Sequence, residues 1–312
     1  MLDIRRMRVL REVAARGSFS AAAASLAYTQ SAVSQQIAAL ERETGTRLID
    51  RGARGISLTD AGRALVTHTD VILARLADAE AELDAIAGLR GGRVRLVAFP
   101  SVGATIMPPA IARFRVKHPA VELNLFPAEP DDGIGMVRAG DADLAIAVQF
   151  ANSISPDDGI ERTLLLDDPL HAVFWAGHPL AGKARLRLAD LAGESWILGS
   201  ASSTCLDARI VRRACGDAGF EPQMVFQNDD YNAIQGFVAS GVGISLIPDL
   251  ALVNVRDDVV VRSLGRAAPV RRIVAATLKD SWCSPARAAM LEVLEEVGTE
   301  FAAGRRELAI AS

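Results

Sequence analysis

"TQSAVSQQI", residues Thr29–Ile37, is the stretch on which the reading of the N-terminal part turns. Val33, Ile37 and the following Leu40 recur at i, i+4 and i+7, so one face of a helix over Gln30 to about Thr44 is apolar. The opposite face carries Gln30, Ser31, Ser34 and Gln35 and no charge, in a chain that is 23% Asp, Glu, Lys and Arg. Glutamine can bond adenine N6 and N7, serine can bond base edges or phosphates, and small side chains let a helix lie deep in a groove. The alternative is an ordinary polar face on a small helical bundle.

The flanking sequence favours the groove. Upstream, Ile4 to Arg16 reads as a helix that points Leu10, Val13 and Ala14 inward and stops at Gly17. Ser18 then caps a short alanine-rich helix ending near Leu26, where Ala22 and Ala23 let a second helix cross closely. Tyr28 and Thr29 make the turn, and Thr29 caps the next helix. Two helices joined so tightly form a helix-turn-helix, whose second helix enters the major groove. Downstream, "RLIDRGARGISLT" (residues 47–59) reads as two short strands around a glycine-containing loop. This wing places Arg51 and Arg54 near the phosphate backbone or the minor groove. The candidate DNA-contacting residues are therefore Ser18, Thr29, Gln30, Ser31, Ser34, Gln35, Arg51 and Arg54. Residues 1–63 hold ten arginines and no lysine against six acids, a balance of +4, so the remainder of this −4 chain carries −8. A basic head on an acidic body suits a DNA-binding module joined to something else.

Thr59 opens a helix that continues to about Ala87. Leu65, Thr69, Ile72, Leu76, Ala79, Leu83 and Ile86 alternate in steps of four and three, the repeat of a coiled-coil seam. Leu65, Ile72, Leu76, Leu83 and Ile86 are the candidate dimerisation residues; an amphipathic helix lying on its own domain is the alternative. Gly88, Gly91 and Gly92 then form a joint. Beyond it strands and helices alternate. "VRLVAF" (94–99), "AVELNLF" (120–126) and "ADLAIAV" (142–148) are strands, with helices through Lys117 and over Asp131 to Ala139. A second set follows: "LHAVFWA", "SWILG", a helix from about Leu206 to Ala218, "QMVFQN", a helix over Ala233 to Ala239, and "GISLIP". "RRIVAATL" (271–278) returns to a last helix opened by Ser284 and Pro285. This pattern predicts two α/β lobes with a mainly parallel sheet and a cleft between them. The expected organisation is residues 1–62 as a winged helix-turn-helix, otherwise all-α, and 63–88 as a linker and dimerisation helix. Residues 89–312 form the two-lobed α/β domain, lobe I over about 93–163 and 268–303 and lobe II over about 164–267.

Several classes are excluded. No apolar run is long enough to span a membrane, and the charged opening "MLDIRRMRVLREV" lacks a signal-peptide core, so the expected location is the cytoplasm. Three cysteines, Cys205, Cys215 and Cys283, fit a reducing compartment, and no CxxC or His/Cys spacing points to zinc. GxSxG, HExxH, P-loop and strand-linked GxGxxG patterns are missing, so neither an enzyme nor a cofactor is expected. A free-standing solute-binding protein would leave the head unexplained.

Together these features resemble the LysR-type transcriptional regulators. "LREVAARGSFSAAAASLAYTQSAVSQQIAALERETGTRLIDRGARGISLTDAG" (10–62) follows that family's head, and the resemblance extends through "FPSVGATIMPPAIARFRVKHPAVELNL", "GDADLAIAV", "GHPLA" and "VASGVGISLIP". Ile49 stands where the family prefers Phe, Tyr28 where Val or Ile is common, and Ala21 and Ala24 where polar residues are frequent. The resemblance implies a second domain like periplasmic solute-binding proteins, with a small effector, often a carboxylate, held between the lobes. A Ser or Thr and backbone amides at the start of the first helix hold it, which here means Pro100, Ser101 and Val102; a plain N-cap role for Ser101 is compatible. Opposite lie Ser200, Ser202, Ser203 and Thr204, a loop that turn chemistry alone would also explain. Gln149, Phe150 and Asn228 are further candidates by topology, whereas His171 reads as a core or surface histidine. Implied partners are double-stranded DNA, a small-molecule effector, a second copy in a homodimer, a homotetramer built as a dimer of dimers, and RNA polymerase; no membrane is expected. Peroxide-sensing members pair two cysteines in the region of Cys205 and Cys215. Here nine residues intervene, not the family's spacing, and both cysteines lie on one helix that would have to unfold. A thiol-responsive regulator using Cys205 is the alternative to an effector-responsive one.

Overall fold

The computed structural model describes residues 2–52, 55–86, 92–149, 159–199 and 206–311. The chain forms two compact units, Met1–Ala87 with Arg138–Asp141, and Gly88–Val137 with Ala142–Ser312.

In the first unit α1 spans Ile4–Arg16, α2 Phe19–Ser25 and α3 Gln30–Thr44. Each begins where a short polar side chain satisfies an otherwise orphaned amide. The Asp3 carboxylate accepts from the Arg5 amide at 2.8 Å, Ser18 Oγ from Ala21 at 3.4 Å, and Thr29 Oγ1 from Ala32 at 3.2 Å. Gly17 ends α1 in the left-handed region at φ 63°, where its amide donates to the Val13 carbonyl at 2.9 Å. Val33, Ile37 and Leu40 are fully buried, as their spacing predicts, against Leu10, Val13 and Ala22. Strands β1 (Ile49–Gly52) and β2 (Gly55–Leu58) pair antiparallel from Ile49↔Leu58 to Gly52↔Gly55 and make the wing.

The long helix α4 spans Asp60–Ile86. Thr59 Oγ1 accepts from the Gly62 amide at 3.0 Å and donates to the Arg47 carbonyl at 2.8 Å, fastening the helix start to the base of the wing. Leu65, read as a seam residue, packs against the head's own core, and Thr69 is wholly buried. The first turns of α4 are thus engaged within the head. Farther along, Ile72, Leu76 and Leu83 are 41%, 46% and 65% exposed. The side chain of Ile86 lies outside the described ones.

In the second unit β3 (Arg93–Ala98) is followed by α5 (Pro100–Thr105), α6 (Met107–Lys117), β4 (Glu122–Pro127), α7 (Pro130–Arg138) and β5 (Leu144–Gln149). Then come β6 (Ile160–Trp175), β7 (Ser195–Leu198), α8 (Leu206–Asp217), β8 (Gln223–Gln227), α9 (Tyr231–Ala239), β9 (Ser245–Pro248), β10 (Val259–Arg262), β11 (Val270–Leu278) and α10 (Pro285–Ala311). The main sheet runs β10-β6-β11-β5-β3-β4, with β9 also on β6. Pairings of β3 with β4, β3 with β5 and β7 with β8 are parallel, while β6 and β11 pair antiparallel with every neighbour. The sheet is therefore mixed where a mainly parallel one is expected. The reason is β6, a 16-residue strand of which the sequence reading takes only the end. It pairs with β11 through Pro169↔Val270 and with β9 from Leu170↔Pro248 onward. The chain crosses between lobes along β6 and returns beside it along β11, so the two must run opposite ways.

Each lobe has its own core. Val94, Leu96, Phe114, Leu144, Ile273 and Leu294 belong to that of lobe I, and Leu170, Phe174, Trp196, Leu198 and Leu246 to that of lobe II. Helix α8 straddles the two. Leu206 and Ile210, one turn apart, join the first core, whereas Val211 and Cys215 join the second.

Candidate functional site

Two regions hold the candidate residues. On the head, Thr29, Gln30, Ser31 and Gln35 are exposed and Ser18 and Ser34 half-buried. Thr29 Oγ1, besides capping α3, lies 3.0 Å from Ser31 Oγ. The polar face of α3 therefore keeps Gln30 and Gln35 exposed, on a helix pinned by its buried face. Two contacts that the sequence reading missed hold the helix in place. Gln36 accepts from Arg6 Nε at 3.2 Å. Glu41 Oε1 accepts from the Leu48 amide at 2.9 Å and the Ile49 amide at 3.3 Å, which ties α3 to the wing. Arg51 lies on β1 opposite Ile56; its side chain and the whole of Arg54 lie outside what is described.

The second region lies where α5 and α8 approach the crossing strands. Ser101 is buried, Pro100 is exposed, and the Val102 side chain is fully buried in the lobe I core. Ser101 Oγ does not stand open for a ligand: it accepts from Arg271 Nη2 at 2.8 Å. Arg271, 2% exposed on β11, also donates through Nε to Asp168 at 2.7 Å and through Nη1 to Asp207 at 2.8 Å. Its guanidinium carbon sits 5.3 Å from the centre of the Phe99 ring. Asp168 faces Arg271 across the β6–β11 ladder, is wholly buried, and accepts from the Leu250 amide at 3.1 Å. Asp207 Oδ2 also accepts from the Tyr231 hydroxyl, while its Oδ1 is buried without a hydrogen-bond partner among the described residues.

Burial by itself would lower the Arg271 pKa, but Asp207 and Asp168 outweigh it and raise it, so the guanidinium stays charged. Partial desolvation raises the Glu129 carboxyl, and Asp207, Asp229 and Asp132 raise it further while Arg271 lowers it. Asn228 and Asp207 line one small pocket with Leu198, Tyr231 and Ser245, of about 20 Å³. Asn228 Oδ1 is occupied by the Asp230 amide at 2.8 Å. Ser101 and Asn228 are thus brought toward a common centre, Arg271–Asp207. Gln149 ends β5, half-buried, opposite Arg272. Phe150, Ser200, Ser202, Ser203, Thr204 and Cys205 lie outside the described residues.

His171, read as a core or surface residue, has its Nε2 3.2 Å from the Asp249 carboxylate. Cys215 is fully buried, and burial pushes its thiol up to about 11, so it is not a thiolate at neutral pH. Among the described residues no cluster of His, Cys, Asp and Glu could hold a metal ion, and no helix is long and apolar enough to cross a membrane.

Residues 4–63 match the bacterial regulatory helix-turn-helix domain of the LysR family, and residues 87–299 match the LysR substrate binding domain. The chain belongs to the LysR family of transcriptional regulators. It is 30% identical to a probable HTH-type transcriptional regulator, LrrA, of Synechococcus elongatus, with 97% of this chain and 99% of that protein covered. It is 29% identical to the transcriptional dual regulator GltC of Bacillus subtilis, over 80% of this chain and 81% of that protein. Among solved structures, a full-length OxyR variant from Pseudomonas aeruginosa has a TM-score of 0.68 at 21% identity, covering 96% of this chain and 95% of that one. Full-length CbnR in complex with its target DNA has a TM-score of 0.61 at 21% identity, covering 95% and 100%. At these identities the structures show a shared fold. This LysR regulator is a DNA-binding protein with a ligand-binding domain, from a family of regulators that are not enzymes.

Proposed function

We propose that this LysR regulator, acting in the cytoplasm, reads pseudo-palindromic DNA as a homodimer and answers to a small anionic effector, a carboxylate foremost, bound between the two lobes. The proposed division is the head over 1–62, the linker helix over 63–88 and the effector domain over 89–312. The observation that carries the DNA reading is the exposed, uncharged pair Gln30 and Gln35 beside the capped start of α3. Pairing through α4 is supported by the exposed Ile72, Leu76 and Leu83; dimers of dimers and contact with RNA polymerase complete the proposed assembly. For the effector, the cation that an anion requires is Arg271, which shares Ser101 with the expected site. The effector drives switching only by binding one arrangement of the lobes more tightly than the other.

The test is fluorescence anisotropy on DNA from upstream of the regulator's own gene, against scrambled DNA, over a salt series. Wild type should prefer the upstream DNA with a steep salt slope. Gln30→Ala should lose about 1–3 kcal/mol of that preference if the amide contacts a base. Unchanged affinity and preference in Gln30→Ala would show that the reading face is misassigned.

A further inference from the structure

The cation of the effector cleft already has an anion on it, and that anion comes from the facing helix. Arg271 projects from β11 at the point where β6 changes partners, beside the last β6–β11 pair, Pro169↔Val270. Of its three side-chain hydrogen-bond partners among the described residues, Asp168 belongs to that crossing and is wholly buried. Ser101 belongs to α5, whose neighbour Val102 is in the lobe I core. Asp207 belongs to α8, which sends Leu206 and Ile210 into the lobe I core and Val211 and Cys215 into that of lobe II. Asp207 differs from Asp168 in being partly accessible, its side chain 17% exposed, and in lining the small pocket with Asn228.

We propose that Asp207 is a resident anion: it occupies the place on Arg271 that an effector carboxylate must take, and by doing so ties α8 to α5 until it is displaced. This rests on the reading of the cleft as an anion-binding effector site. The exchange is chemically even. The Nη1 donor that Arg271 gives to Asp207 Oδ2 suits an effector carboxylate equally well, so one leaves as the other arrives and the charge on Arg271 stays matched. Asp168 remains in place through the exchange, keeping the buried guanidinium compensated. An entering ligand therefore removes the charged part of the α8 anchor, beside the apolar packing of Leu206 and Ile210, instead of merely adding a contact. Asp207 sets the threshold concentration at which that happens.

The experiment is hydrogen exchange on the full-length protein, with wild type, Asp207→Ala and Asp207→Asn compared in sodium chloride and in sodium formate at equal ionic strength. Formate is the probe because, with alanine at position 207, it restores the missing carboxylate. In chloride, Asp207→Ala should accelerate exchange about tenfold in both α8 and the α5 amides of Gly103 to Thr105, the loss expected for one charge-assisted hydrogen bond. The head helices should be unaffected. Formate should restore protection in Asp207→Ala, leave wild type unchanged, and fail in Asp207→Asn, where the carboxamide fills the space. Acceleration confined to α8 would overturn the tie between lobes. Acceleration in both segments that formate does not reverse would overturn the resident-anion role, and should Asp207→Ala fail to fold, Asp207→Asn still tests the tie. Wild-type anisotropy on upstream DNA stands apart from these arms. Its failure would remove the regulator reading while leaving the exchange result standing.

Discussion

Gly62 lies in the first turn of α4 directly above the base of the wing, and replacing it with alanine tests how the wing is held. A Cβ there would stand 2.1 Å from the Leu48 carbonyl oxygen and 3.2 Å from a Leu58 methyl. Ordinary contact is near 3.5 Å, so the overlap exceeds an ångström. The obstacle is backbone: it cannot rotate aside as a side chain would. That same oxygen accepts from the Thr59 amide at 3.0 Å, so moving it breaks the bond joining wing to helix. Overpacking costs about 1–3 kcal/mol and the hydrogen bond about 1 kcal/mol. The better helix propensity of alanine returns about 1 kcal/mol. The net is a loss of about 1–3 kcal/mol at the wing base, a roughly five- to 150-fold increase in local opening. Hydrogen exchange of the Thr59, Ile56 and Leu58 amides reads this directly in the full chain. Anisotropy on DNA should show binding weakened alike for upstream and scrambled sequences, since the wing is read as a backbone contact. Native exchange rates at those amides with unaltered DNA affinity would refute the seating of Gly62 on Leu48.

The ion-pair cluster at the end of α10 makes a pH prediction. Burial works against the Asp249 carboxylate, but hydrogen bonds from His171 and Arg305 outweigh it and hold the pKa at about 2, against an ordinary 3.8. A depressed carboxyl stabilises the folded state above its unfolded pKa and loses that contribution as pH falls through its folded one. About 2 kcal/mol is therefore present above pH ~4 and disappears toward pH ~2. Asp249→Asn should remove it at neutral pH and flatten the acid dependence of urea unfolding followed by tryptophan fluorescence; an unchanged acid limb would contradict the assignment. Cys215 makes a separate one. In a Cys205→Ser, Cys283→Ser protein, an aromatic disulfide reagent should leave Cys215 untouched in the native state and react fully in denaturant, and rapid native labelling would contradict its burial.

The head was legible because its instructions are local. Ser18, Thr29 and Gly17 act within four residues of themselves, and the apolar spacing of Val33, Ile37 and Leu40 needs only one helix to be read. The wing was placed by its glycines, but not the Glu41 carboxylate that secures it, seven residues from the Leu48 amide it accepts. In the effector domain the strands were visible and their directions were not. Pro169 interrupts what would otherwise read as one long strand, because proline cannot donate to a ladder. The structure places that interruption where β6 changes from β11 to β9, and Leu170 next to it donates to the Pro269 carbonyl at 2.8 Å.

Arg271 is the sharpest case, and the reason it was missed bears on how the cleft works. In "RRIVAATL" it looks like the polar half of an alternating strand, with nothing local to mark it as buried. Its partners lie 103, 64 and 170 residues away, at Asp168, Asp207 and Ser101. Such a residue has no local signature because it stabilises no local element; it is buried only once the crossing strands, α5 and α8 have assembled around it. A buried ion pair is seldom the most stabilising filling for such a space, since desolvation consumes much of the attraction. Apolar residues of similar size would hold the lobes as well, yet they would offer a ligand nothing to exchange with. Removing Asp207, by contrast, leaves Asp168 on the guanidinium and costs about 1.5 kcal/mol, one charge-assisted hydrogen bond, unless a replacement charge arrives. That asymmetry is what a ligand-gated tie requires: the arrangement resists opening on its own and yields to a molecule that brings the matching charge.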